Sequence, residues 1–194
     1  MEWYYILIIV ISALVLLATL FIVFSLLTEK MFAKIRVNIK EEEKRIDEAL
    51  LLRHDELNLF VKVTKDFIDP KKDIFSKVLK LRVLDEKATI QEKEIFTNDM
   101  IHLIAEFWDT LIINREKLDN KELFDLYEKT LSLEENLLAT QRLYNASVTF
   151  YNLKISNFPF SLIARLKGYK KKDFFEIDEF KSVKFEFEKK TKKD

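Results

Sequence analysis

The 194 residues hold 33 basic and 33 acidic side chains, no cysteine, one glycine (Gly168) and two prolines (Pro70 and Pro159). The charge balance gives no bulk drive toward nucleic acid, and the missing cysteines exclude disulfides, thiolate metal sites and thiol nucleophiles. So little glycine argues against phosphate-cradling loops and dinucleotide folds, where backbone must approach a ligand, and leaves room for very long helices.

The composition is divided along the chain. Residues 1–27 carry one charge, Glu2, whereas residues 28–194 hold 33 basic and 32 acidic side chains. Ile6 to Leu27 is a run of 22 residues without a charge, long enough at ~1.5 Å per residue to cross a ~30 Å hydrocarbon core. Trp3, Tyr4 and Tyr5 precede it, where amphipathic rings favour the headgroup level. A cleaved secretory signal is the alternative. Against it, no Lys or Arg precedes the run, the run exceeds a normal signal core, and no A-x-A site follows. Residues 1–27 are therefore expected to be a retained single-pass anchor. Lys30, Lys34, Arg36 and Lys40 follow the span and nothing basic precedes it, so the positive-inside bias puts the amino end outside and the large domain in the cytoplasm.

The remainder reads as an all-α antiparallel up-and-down bundle of three long helices and a short fourth, over residues 28–187. The first helix should run from the membrane to about Phe67, stopping before Asp69-Pro70, with Ile39, Ile46, Arg53, Phe60 and Phe67 at seven-residue spacing. The second should run from about Lys71 to Arg115, burying Ile74, Val78, Leu81, Ala88, Ile95, Ile101, Ile104, Trp108 and Leu111. The third should span Leu118 to Asn157, with Phe124, Leu131, Leu138, Asn145 and Asn152 on one seam. A short helix from Ser161 to Lys167 should end at Gly168, which caps in the left-handed region without penalty. Phe174 to Phe187 alternates apolar and charged residues and reads as strand-like or extended, and the basic tail 188–194 should fray.

Three such helices, each traversing the bundle, bring Arg53, Asp55, Arg82, Arg142, Tyr144 and Asn145 to one height, with Asp85 nearby. The expectation is a polar layer in the half of the bundle away from the bilayer. The same reasoning places the basic, aromatic segment Arg165 to Phe175 far from the membrane, as a solvated cap on the bundle end or a protein-docking tip.

A seven-residue ladder then sets the last third apart: Tyr144-Asn145, Tyr151-Asn152 and Phe158-Pro159. Glu135-Asn136, Arg142, this ladder, Val148 and Ile155 resemble the "EN … R … YN … V … YN … I … FP" signature of the LemA family. Ala164, Gly168-Tyr169-Lys170-Lys171, Phe174-Phe175, Val183 and Phe185 resemble its continuation. Ile46-Asp47, Arg53-His54-Asp55, Val61, Lys65, Val78 and Arg82 match its earlier motifs. Asp55 to Val61 lacks the family's usual proline and the asparagine after it, and the step before the third helix is reduced to Glu116-Lys117-Leu118. The resemblance implies a bacterial, membrane-anchored, mostly cytoplasmic helical bundle, and it implies no reaction.

Candidate chemistry is sparse. Arg53, His54 and Asp55 suggest an acid–base cluster, but adjacent helical residues point about 100° apart and do not face one another. A buried ion-pair layer that fixes helix register is the competing reading. His54 and His102 fall on different helices; Glu106 lies four residues after His102, but the repeated Glu-x-x-His of carboxylate bundle sites is missing. No catalytic, cofactor-binding or metal-binding residue is assigned, and no cofactor is implied. The expected function is a non-enzymatic membrane-anchored scaffold that binds proteins or itself. The rival is an accessory subunit of a membrane enzyme, a protease or transporter, acting through its transmembrane helix.

Overall fold

The computed structural model describes residues 2–65, 73–81, 84, 87–114, 116 and 120–178. They form five helices: α1 (Glu2–Thr64), α2 (Asp73–Lys80), α3 (Ile90–Ile113), α4 (Asn120–Ser156) and α5 (Phe160–Leu166). Apart from a 3₁₀ residue at Glu116, all regular structure among the described residues is α-helical. No glycine or proline interrupts residues 2–64, and α1 is one helix of 63 residues. It passes unbroken through Asp55 to Val61, where the missing proline leaves the hydrogen-bond ladder intact. Residues 3–23 are exposed along their whole length. One helix is thus long and apolar enough to cross a membrane.

Contacts divide the chain into two compact units, residues 1–44 with 142–174 and residues 45–141 with 175–194. In the first unit, α4 runs antiparallel to α1: Tyr144 feels the charge of Glu43, and Tyr151 meets Phe32 edge-on at 6.0 Å. α5 follows at the lower end of α4, its Phe160 ring lying 5.9 Å from Phe24. Ile163 and Ala164 face inward, with Thr28, Phe32, Ile35 and Ile39 buried on α1. Gly168, at φ +67°, then reverses the chain. Its N–H donates to the Arg165 carbonyl and the Tyr169 N–H to the Ala164 carbonyl, closing a Schellman motif.

In the second unit, α3 runs parallel to α1. Lys93 pairs with Asp47, and Phe107 and Trp108 pack on Phe60 at 5.5 and 5.2 Å. α4 is antiparallel to both, Trp108 meeting Tyr127 and Arg53 meeting Glu134. α2 is antiparallel to α3, through Phe75 on Phe107 and Lys77 on Glu106.

These directions correct several expectations. The second long helix is two helices, not one. Thr89 starts α3 as a capping box: its hydroxyl accepts from the Glu92 N–H while the Glu92 carboxylate accepts from the Thr89 N–H. Leu81, Leu84 and 87–89, before that cap, are not helical, so α2 descends and α3 climbs again beside α1. The buried face of α3 shifts accordingly to Lys93, Phe96, Thr97 and Met100, and Ile95 is 64% exposed. Ile101, Ile104, Trp108 and Leu111 are buried as expected. On α4 the buried seam lies one residue before the expected one, at Leu123, Thr130, Leu137, Tyr144 and Tyr151, and Phe124 is 40% exposed. Leu131, Leu138, Asn145 and Asn152 flank it. Phe67, Arg82, Asp85 and the tail from 179 onward lie outside the described residues.

Candidate functional site

The Tyr-Asn ladder is an intrachain clamp. Tyr144 and Tyr151 are buried on the face of α4 turned toward α1, because heptad spacing returns them to the same side every two turns. The Tyr144 hydroxyl donates to the Asp173 carbonyl at 3.1 Å. Burial, with help from nearby Glu43 and Asp173, pushes its pKa up to about 12, so it stays a neutral donor. Burial also raises Tyr151, opposed by Arg36. One heptad beyond Asn145, Asn152 uses both ends of its amide. Its Nδ2 donates to the Lys172 carbonyl at 2.8 Å, and its Oδ1 accepts the Lys172 N–H at 2.9 Å. Tyr169 stands edge-on to Phe32 at 5.2 Å and under the Arg36 guanidinium at 4.7 Å. Lys167 pairs with Glu29 at 3.2 Å. The segment 167–173 is therefore fastened to α1 and α4 where α1 leaves its apolar span, and is not a remote tip. The expected distance from the membrane assumed a third helix pointing away from the anchor; α4 points toward it.

Residues 175–178 continue without helix in the second unit, held by side chains instead of a strand partner. Gln141 donates to the Phe175 carbonyl, and the Glu176 and Asp178 N–H groups donate to Glu94 and Asn98. Phe175 is completely buried.

The expected polar layer resolves differently. Arg53 and Asp55 belong to one unit, and Arg142, Tyr144 and Asn145 to the other. Arg53 is buried and bonds Glu56 at 2.8 Å on its own helix and Glu134 on α4. Asp55 and Arg142 are exposed. The antiparallel register sets position 134, not 142, against Arg53. Glu56 sits three residues after Arg53, on the same face, and Asp55 does not. Burial raises the Glu134 carboxyl above the usual range; Arg53 opposes this and Glu56 adds to it. Position 134 carried no sequence signal beyond a Glu on a helix already rich in charge. Lys93, fully buried against Asp47 at 2.7 Å, was likewise missed.

His54 faces Asn58 at 3.4 Å, not Asp55. His102 is exposed beside Asp178, and Glu106 pairs with Lys77. Among the described residues, no three His, Cys, Asp or Glu side chains gather as a metal site would require.

The model of the LemA family matches residues 42–187, three quarters of the chain. The chain belongs to the LemA family. A search of curated proteins finds no match. The LemA match takes in the ladder, the clamped 167–173 segment and the Arg53 cluster together, and it begins after the apolar span. The matched range thus contains both partners of the Asn152 clamp, and Arg53 with its acidic partners Glu56 and Glu134.

Proposed function

We propose that this LemA protein is a non-enzymatic, single-pass scaffold whose helical domain, on the cytoplasmic side, recruits a protein partner or a second copy of the chain. One observation carries the reading. In the 1–44/142–174 unit, Leu143, Phe150 and Leu153 are exposed on one stripe of α4, away from buried Tyr144, Val148 and Tyr151. Large apolar side chains aligned in water mark an interaction surface better than isolated ones do. The polar side chains that could suggest chemistry are committed to clamps and ion pairs instead of converging on a pocket.

A photo-crosslinking residue at Phe150 in the anchored full chain tests this in cells, with a second variant in which an unrelated span replaces Ile6–Leu27. Capture of the chain itself or of a cytoplasmic protein, retained after the swap, is the expected result. Capture of an integral membrane enzyme, lost after the swap, would make the protein an accessory subunit acting through its span. Labelling of a cysteine introduced at Leu143 by a membrane-impermeant reagent in whole cells would contradict the cytoplasmic orientation.

A further inference from the structure

We propose that α5 and the segment after it dock on the anionic headgroup layer of the same bilayer that α1 crosses, as an interfacial helix with a basic collar. The depth of α5 is the first argument. Phe160 packs on Phe24, and Phe24 belongs to the uncharged run that ends at Leu27. Residues 3–23 are exposed throughout, and those 21 positions cover ~32 Å at ~1.5 Å per residue, about one hydrocarbon core. α5 therefore begins at the boundary between acyl chains and headgroups.

Its outward face is the second argument. Leu162 and Leu166 are 46% and 68% exposed and lie four residues apart, so they stack on one side of α5, and Phe158, in the turn just before it, is 85% exposed. Ile163 and Ala164 occupy the inner side. In water this apolar row is unexplained. At the boundary it enters the acyl region while the polar residues stay in the headgroups, as interfacial helices do.

Charge is the third. Residues 24–36 and 154–173 together hold nine basic side chains and two acidic ones. One of the acids, Glu29, is paired with Lys167. Arg165, Lys170 and Lys171 are exposed, and the Asn152 clamp fixes the backbone of the basic run beside the membrane exit. A basic cluster next to a span is attracted by anionic lipid, and the attraction fades within a Debye length. A cap of this sign placed tens of ångströms away would gain nothing from the bilayer.

The absence of cysteine makes the test direct, since a single introduced thiol labels uniquely. Full chains carrying one spin label, at Leu162→Cys, Leu166→Cys or Leu143→Cys, are reconstituted into nanodiscs of phosphatidylcholine alone or mixed with phosphatidylglycerol. Leu143, beside Tyr144 at the level of Glu43, is the control, about 29 Å above Phe24 at 1.5 Å per residue. Collision with oxygen, which partitions into lipid, is compared with collision with a water-soluble nickel chelate. In the anionic discs the oxygen-to-nickel ratio at 162 and 166 should exceed that at 143 several-fold. It should fall in neutral discs and on adding Lys170→Glu with Lys171→Glu. A label at 162 as nickel-accessible as one at 143 overturns the proposal. So does a depth that ignores both lipid charge and the reversal. With one chain per disc and no other protein added, neither readout senses docking at Leu143, so failure here leaves the scaffold reading standing.

Discussion

Asn152 and Lys172 exchange two hydrogen bonds, amide to backbone in both directions, at 2.8 and 2.9 Å. The pair imitates one rung of a β-ladder between a helix side chain and an extended segment. It ties the basic run 170–172 to α4, together with the Tyr144 bond to the Asp173 carbonyl. Each neutral hydrogen bond nets ~1 kcal/mol, and leaving a partner unsatisfied costs more. Asn152→Asp replaces the donor with an oxygen facing the Lys172 carbonyl. The expected loss is ~2–3 kcal/mol, with hydrogen exchange accelerated at Lys172 and Asp173 before the rest of α4. Unchanged protection there would show that Tyr144 and Tyr169 hold the segment alone.

Arg53 lies buried between two carboxylates, Glu56 and Glu134. Arg53→Ala leaves both without their cation, and breaking a buried pair from one side costs ~3–5 kcal/mol. Denaturation of the full chain in detergent should show this. Replacing all three by apolar residues of similar volume should cost much less, since no charge is then stranded. A wild-type midpoint for Arg53→Ala would contradict the geometry.

Glu134 gives a pH signature with a definite sign. Its carboxyl is raised in the folded protein, chiefly by burial. The folded state therefore binds its proton at pH values where the unfolded state has lost it. The stabilisation from this group is fully present below the ordinary carboxylate range and lost as pH rises through the raised folded value. Relative to Glu134→Gln, the wild type should thus gain stability as pH falls from neutral toward ~4.5. A gain in the opposite direction would mean that Arg53 outweighs burial.

Gly168 takes φ +67°, and a Cβ added there meets nothing within 4 Å. Gly168→Ala should then cost only the left-handed backbone penalty, ~1–2 kcal/mol. The same substitution by Asn, which tolerates that region, should recover much of it. A loss well above this range in thermal melts would point to a contact that the open space around Gly168 does not contain.

Much of this architecture was legible in the chain because it rests on local rules. The 22-residue uncharged run, the heptad of Ile39, Ile46, Arg53 and Phe60, and the Gly168 stop each depend on residues within a few turns of one another. The Thr89-x-x-Glu92 capping box was legible too, and it marks the helix start that a continuous 71–115 helix overlooked.

What the sequence by itself determined is helix content, the anchor and the family, because hydrophobic period, glycine scarcity and ordered motif residues act over short range. Only the tertiary structure decided the direction of each helix and the partner of each buried charge. The break before Thr89 adds a descending segment, so α4 travels toward the membrane end of α1 instead of away from it. That reversal sets Glu134 against Arg53 and brings α5 beside Phe24. Register between helices depends on how far each one runs before it turns. A single misjudged turn therefore reverses the helices after it while leaving every local pattern intact.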